Sequence, residues 1–434
     1  MKRLAIIGSG ISGLACLYFL ASHYEVTLYE QNDYIGGHTN TVEVGNELIK
    51  LPVDTGFMVF NRATYPNLIR LFDALGIACE TTDMSFSVRH DGLSLEYNGA
   101  GYNKLFGQRK NILNLRFWRM LMQLNRFNQE ALEMLVSEDI DSLTLLEYVE
   151  KQGYGKDFQN LFLIPMSSAI WSTHPKRVLS FPAKTLLRFF HNHGFLGMDT
   201  HHQWYVVKGG SKQYVKKILE LSSQASLMLN EPVESVQREE NGVIRVHSQK
   251  GSKTETREFD HVIVATHADQ ALRVLEAPTN LQQKCLSAFS YESNIATLHT
   301  DSSVLPKNKR CRASWNYHIQ TTGAEESIED LKVSTHYWMN RLQHLGEKVD
   351  YIVSINGESI IQPERVLKRI DYQHPVFDLP AIQAQKTLPE LNREGAKTNI
   401  YFCGSYFNYG FHEDAFTSGM NLSEQLLGDL KWRG

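Results

Sequence analysis

A mixed α/β fold, with a parallel-sheet domain interleaved with an α+β domain, is what this sequence predicts, and three stretches carry the prediction. Residues 3–30, "RLAIIGSGISGLACLYFLASHYEVTLYE", read as an apolar strand from Leu4 to Ile7, a glycine turn, a helix to about Ala21 and a second strand from Val26 to Tyr29. Residues 259–275, "FDHVIVATHADQALRVL", give a buried strand followed by a helix. The last apolar strand, "IYFCG", runs into a glycine and then a helix, "FHEDAFTSGMNLSEQLL". A core drawn from the start, middle and end of a chain requires that chain to leave the sheet and return.

The remaining composition bounds the answer. A chain of 434 residues, 42% hydrophobic, exceeds the size at which single cores usually split, so two domains are expected. A formal charge of −4, with Lys and Arg dispersed along the chain, argues against a nucleic-acid partner. The five cysteines form no CxxC or other ligand spacing, which suits a reducing cytoplasm. The longest uncharged run, Phe158 to Pro175, is interrupted by Pro165 and hydroxyl residues and is too polar for a spanning helix. No signal peptide is read at Leu4, because glycines break the apolar stretch. The expectation is a cytoplasmic protein, with peripheral contact at the inner face of the membrane.

Within the first βαβ unit, Gly8, Gly10 and Gly13 make GxGxxG around Ser12. Gly8 permits the tight turn, Gly10 lets a pyrophosphate approach the backbone and Gly13 lets helix pack on strand. The helix N-terminus offers free amides to phosphate. Glu30, 17 residues after Gly13 and followed by Gln31, ends the second strand, where a carboxylate accepts ribose hydroxyls and repels a 2′-phosphate. This is a Rossmann-like dinucleotide site that disfavours NADP. Gly36 and Gly37, followed by His38 and Thr39, then add a second glycine pair that a simple nicotinamide dehydrogenase does not need.

Together these residues resemble the FAD-binding signature of the flavin amine oxidase superfamily, whose cofactor domain is of the glutathione-reductase type. The resemblance implies non-covalent FAD, with Cys403 packing inside its strand. It places His38 where arginine usually faces the pyrophosphate. It implies that Asp54, Gly56 and Phe57 in "LPVDTGFMVFN" lead the chain past the isoalloxazine, and that Val233 meets the adenine side through its backbone. In "WYVVKGGSKQYVKKILE" the chain returns to the cofactor domain, with Ser211 as a helix N-cap. At the end, Gly404 and Ser405 stand where the family usually has Gly-Asp, and Glu413, Asp414 and Ala415 present helix amides to the flavin. The FAD-binding domain would comprise 1–80, 205–275 and 395–434, and the substrate domain 81–204 and 276–394.

The first substrate stretch reads as largely helical. Ile112, Leu113, Leu115, Phe117, Trp118, Leu121, Leu124, Phe127 and Leu132 make a wide apolar arc, read mainly as core and otherwise as a substrate wall or membrane-contacting face. The second stretch alternates as an antiparallel sheet, with strands in "SYESNIATLHT", "CRASWNYHI", "KVSTHYWMN" and "DYIVSIN". Amine oxidases of the superfamily carry a lysine on a substrate-domain strand, and "SYESNIATLHT" has none. Flavin dehydrogenation asks the protein for position and electrostatics, so no catalytic side chain is assigned. His191, His193, His201 and His202 lack the spacing of a zinc site, and no metal is expected. His174, His299 and His318 are unassignable as acids or bases.

The phrases "LHTDSSVLP", "RASWNY", "HYWMNRLQHL" and "HPVFD" further resemble bacterial NAD/FAD-binding proteins that accompany cyclopropane-fatty-acid synthases, a group that includes flavoproteins desaturating methyl-branched acyl chains. The leading expectation is an FAD-dependent dehydrogenase or desaturase of a lipid acyl chain, contacting the membrane transiently. The alternatives are a flavin oxidase of amines or polyamines and an FAD-binding scaffold for a lipid methyltransferase.

Overall fold

Strands β1 (Arg3–Ile7), β2 (Glu25–Tyr29), β10 (Ser226–Met228), β14 (His261–Val264) and β20 (Ile400–Phe402) form a parallel sheet in the order β10-β2-β1-β14-β20. The computed structural model describes every residue except 46–49, 138, 139, 141, 198–201, 322–330, 347, 433 and 434, so His201 lies outside the described residues. Ile6 of the central strand β1 sits opposite Leu28 on one side and Ile263 on the other. Both faces of this strand are covered, which is why it is apolar without alternation. Leu4 and Ile6 join the core of helix α1 (Ile11–Leu20), whereas Ala5 and Ile7 join Val236, Ile244 and Phe259. The latter residues belong to an antiparallel meander of β11 (Val233–Arg238), β12 (Ile244–Lys250) and β13 (Lys253–Phe259).

Helix α7 (His412–Leu427) packs along α1, and all of α1 is buried. Gly419 makes that approach possible: a Cβ there would lie 2.4 Å from the carbonyl oxygen of Ser12. The helix α1 is therefore held firmly where it follows the glycine turn.

The second body is a seven-stranded sheet in the order β19-β15-β18-β17-β16-β7-β8. It comprises β7 (Phe86–His90), β8 (Leu95–Asn98), β15 (Ser290–His299), β16 (Trp315–Gln320), β17 (Lys332–Trp338), β18 (Ile352–Ile355) and β19 (Val366–Val376). The four strands read from the second substrate stretch are β15 to β18. Three others went unread. β19 is an edge strand carrying Lys368, Arg369 and Asp371, charges that protect an edge but erase apolar alternation. β7 and β8 lie in the stretch read as helical; β8 pairs with β7, and β7 pairs with β16 across more than 200 residues of chain.

Helices α2 (Pro66–Leu75), α3 (Leu115–Leu135), α4 (Ile164–Trp171) and α5 (Ala183–Asn192) surround this sheet and its junction with the first, and α6 (Lys212–Leu221) packs on α1. On α3 only part of the expected apolar arc is core: Phe117, Met120, Phe127 and Ala131 are buried, while Ile112 and Leu113 before it and Leu115, Trp118 and Leu132 on it are exposed. Two smaller sheets join the bodies. β3 (Thr41–Gly45) pairs with β4 (Lys50–Asp54), and β9 (Trp204–Val207) lies between β5 (Phe60–Asn61) and β6 (Cys79–Thr82). Among the described residues, no helix is long and apolar enough to cross a membrane.

Candidate active site

The C-terminal ends of β1 and β2 open into a cavity of about 870 Å³ that runs from the parallel sheet to the seven-stranded sheet. Such a crevice is where open α/β sheets bind ligands. Of the residues read from the sequence, Gly8, Gly10, Ser12, Glu30, Gln31, Gly36, Gly37, His38, Gly56, Phe57, Val233, Gly404, Ser405 and Ala415 line it.

Each glycine of the first motif does a separate job. A Cβ on Gly13 would lie 2.0 Å from the Gly8 carbonyl oxygen, so this position is closed by packing. A Cβ on Gly10 would meet nothing within 4 Å, leaving the backbone open to the cavity. Gly8 has φ +102°, a left-handed conformation that favours glycine. The second pair completes the cradle, because a Cβ on Gly37 would lie 3.2 Å from the Cα of Gly10. Glu30 is buried, with Oε2 accepting from Ser9 N and Oγ at 3.1 and 2.5 Å and Oε1 accepting from Asn32 N and Nδ2, both at 2.9 Å. Two of these donors are rotatable side-chain groups whose places ribose hydroxyls can take.

His38 stands where the resemblance leads one to expect arginine. Its ring stacks on Tyr372 at 4.5 Å and its Nε2 is buried without a hydrogen-bond partner. Burial, then the neighbouring His374, His267 and His412, hold its pKa well below the usual value. His38 is therefore a neutral group with one buried ring nitrogen left without a partner, on a residue that lines the cradle. It can bond a phosphate or flavin oxygen without contributing charge.

Five expected residues lie outside the lining, for identifiable reasons. Gly13 is packed as above. Thr39 bonds the Tyr214 hydroxyl at 2.5 Å, and that hydroxyl bonds His412 Nε2 at 2.6 Å, so Thr39 supports the wall from behind. Asp54 accepts from Thr41 Oγ1, from the backbone N and Oγ of Ser211 and from Gln343 Nε2 at 2.6 to 3.1 Å. It ties β4 to the start of α6, and burial raises its pKa to about 6. Ser211 occupies the N-cap position of α6, but its side chain makes no capping bond; Asp54 supplies the acceptor instead.

Glu413 and Asp414 also turn away. Glu413 accepts from Asn67 N and Leu68 N, both at 2.9 Å, and so caps α2. Asp414 accepts from Phe411 N and Asn408 Nδ2 at 2.8 Å, and burial raises its pKa to about 7. Both line a second, more polar cavity of about 920 Å³, which shares Tyr65, Phe189, His193 and Phe411 with the first. Cys403 lies behind the wall, its Sγ 3.8 Å from that of Cys16.

Several lining residues carried no signal in the sequence. His267, His374 and His412 converge from three elements, and burial lowers the pKa of each, to about 4 for His374 and about 3 for His412. Trp171, Phe189 and Phe411 form an aromatic wall with His193, one of the histidines already singled out in the sequence; Phe189 stacks on His193 at 3.8 Å and on Phe411 at 4.8 Å. Of the other histidines, His202 Nε2 bonds the Asn192 carbonyl at 2.9 Å. No three His, Cys, Asp or Glu side chains among the described residues converge to hold a metal.

A family model described as flavin containing amine oxidoreductase matches residues 11–370. The chain belongs to this family. It is an FAD-dependent oxidoreductase, and the open Gly10, the second glycine pair and the uncommitted His38 nitrogen fit the cofactor. Among solved structures, this flavoprotein resembles cyclohexylamine oxidase from Brevibacterium oxydans at 16% identity and TM-score 0.66, over 98% of this chain and 99% of that one. It also resembles a fatty acid isomerase from P. acnes at 14% identity and TM-score 0.67, with coverage of 98% and 99%. At these identities the likeness is one of fold. A 1-hydroxycarotenoid 3,4-desaturase from Flavobacterium sp. is 48% identical over 46 residues, which span 10% of this chain and 9% of that relative.

When bound, FAD supplies the hydride acceptor. In that cradle the N-terminus of α1 and the open backbone of Gly10 would hold the phosphates and Glu30 the ribose, with the neutral histidines and the aromatic wall lining the space beyond.

Proposed function

We propose that this flavoprotein dehydrogenates the acyl chain of a lipid, with a methylated chain as the expected substrate. The observation that carries the reading is the composition of the cavity beyond the FAD cradle. Its walls include Met84, Ile170, Trp171, Phe189, Phe195 and Trp315, and among the described residues no lysine lines it. Strand β15 contains no lysine, and Lys368 on the neighbouring β19 is exposed and outside the lining. Neutral His38, His267, His374 and His412 add hydrogen-bonding capacity without charge, which favours an uncharged chain over an ion. The desaturase and isomerase names among the similar proteins agree with this reading. The resemblance to proteins that accompany cyclopropane-fatty-acid synthases supports a lipid methyltransferase as partner.

Amine oxidation is the second reading, and Asp371 is the observation that favours it. This exposed residue of β19 lines the same cavity as the aromatic side chains and supplies a carboxylate that can pair with an ammonium group. The test is anaerobic incubation of the FAD-loaded protein with phospholipids bearing methylated chains. Bleaching of the flavin spectrum is expected; an unchanged spectrum, with rapid peroxide formation from polyamines, would replace the first reading by the second. Flavin that neither donor reduces, together with stable binding to a lipid methyltransferase, would make the chain a scaffold.

A further inference from the structure

We propose that the outward face of α3, with the short helical turns before it, is a docking surface for an anionic lipid bilayer. On α3, Leu115, Trp118 and Met122 recur at helical spacing on the side opposite Phe117, Met120 and Phe127, so the core accounts for only one of two apolar faces. Exposure is high: Leu113 88%, Leu115 77%, Tyr102 70% and Met122 63%. Trp118 Nε1 donates to the Ile112 carbonyl at 2.8 Å and its ring lies 5.4 Å from Phe106, which joins the turn of Arg109–Leu113 to the helix. Isolated exposed apolar residues are ordinary, but a joined group of this kind marks an interaction surface.

Charge identifies the partner. Residues 97–129 contain Lys104, Arg109, Lys110, Arg116, Arg119 and Arg126 and no Asp or Glu, in a chain whose formal charge is −4. The whole-chain balance conceals this local excess. Arg116 and Arg119 share the single carboxylate of Asp157, at 3.1 and 2.9 Å, and Arg126 pairs with Glu130 at 2.7 Å, which still leaves the cations in excess. Exposed Lys307, Lys309 and Arg310 extend it, because Asn308 Nδ2 donates to the Gly107 carbonyl at 2.7 Å and brings that turn alongside. Apolar side chains among cations that outnumber the acids beside them suit insertion between anionic headgroups. A second copy on this face would set the same cations against themselves.

The inference stands on exposure and charge, apart from which chain the enzyme oxidises. Its test is co-sedimentation of the FAD-loaded full chain with vesicles of phosphatidylcholine alone or mixed with phosphatidylglycerol. Binding to the anionic vesicles is expected, weakened by salt and lowered at least about tenfold by K104E/K110E. The exposed-site variant L113S/L115S/M122S should also lower it, with unfolding temperature and flavin spectrum unchanged in both. The proposal is overturned by absence of anionic-vesicle binding, by full binding of both variants, or by a dimer that these substitutions dissociate.

Discussion

The ring of Phe57 lies flat on the imidazole of His412, with centroids 3.8 Å apart and planes within 8°. This stack joins the segment after β4 to the first residue of α7, two parts of the cavity wall that are far apart in sequence. Tyr214 holds the imidazole from behind and is itself held by Thr39. Tyr214→Phe removes the shared hydroxyl while keeping the ring, leaving Thr39 and His412 only their longer 3.3 Å contact with each other, at a cost of about 1 kcal/mol. The expected outcome is a folded protein whose FAD dissociation constant rises about tenfold, read by flavin fluorescence titration. An unchanged constant would show that the His412 ring needs no such support.

Asp54 separates a structural from a cofactor role. Its carboxylate joins Thr41, Ser211 and Gln343 outside the cavity lining. Asp54→Ala should therefore cost about 3 kcal/mol in urea unfolding by leaving buried donors unpaired, while the flavin spectrum of the folded fraction stays as in the parent. A shifted flavin spectrum with intact stability would instead put Asp54 in the site.

Much of this arrangement was legible locally and the rest was not. Gly8, Gly10, Gly13 and Glu30 announce themselves because turn, helix and strand follow one another within thirty residues and each imposes its own spacing. The fold class follows from that unit and the apolar strands that rejoin it. Glu413 draws notice in the sequence for its amide at a helix start, and nothing there shows that its carboxylate caps α2 at Leu68, 345 residues earlier in the chain. Asp54 and Ser211 meet across 157 residues. Pairings of that range leave no periodicity to read. The same holds for His267, His374 and His412, which reach one cavity from three elements, and for β19, whose exposed charges hide a strand.

Ser405 lines the cavity at the position where the family usually has aspartate. A carboxylate there would accept a charge-assisted hydrogen bond roughly twice as strong as a neutral one. Ser405→Asp is expected to tighten FAD about fivefold, and Ser405→Ala to loosen it by a similar factor. Equilibrium dialysis against FAD reads both; equal constants for all three proteins would remove Ser405 from the site.

Acid should unfold this protein early. Burial lowers the pKa of nine histidines: His38, His193, His261, His267, His299, His318, His336, His374 and His412. The unfolded chain, with histidines near 6.5, then binds protons that the native state refuses, so stability falls as pH drops from about 6.5 toward 4. Asp54, Glu413 and Asp414 have raised pKa values and act in the opposite sense, but they are three against nine. Urea unfolding at intervals from pH 7 to pH 5 should show a steady loss of stability. His374→Asn should reduce the slope by about 1.4 kcal/mol per pH unit, the share of one proton. A flat profile would mean that these histidines are solvated.

Gly10 and Gly13 differ by what a methyl group would touch, and this allows cofactor binding to be separated from folding. At Gly10 an added Cβ meets no protein atom within 4 Å, and the backbone is extended at φ −60° and ψ 173°, a conformation open to any residue. Gly10→Val should therefore fold with an unchanged unfolding temperature in the absence of FAD. Its side chain would project into the space reserved for the pyrophosphate, so FAD affinity should fall by about a hundredfold or more. At Gly13 the new Cβ would sit 2.0 Å from the Gly8 carbonyl oxygen, inside the turn itself. Gly13→Ala must push α1 away from β1, with a cost of several kcal/mol from strain and lost packing, and should lower the unfolding temperature whether or not FAD is present. Calorimetry and flavin titration of the two variants give opposite patterns if the cradle is built as described. If Gly10→Val retained FAD at parental affinity, the open face of Gly10 would not be the pyrophosphate site.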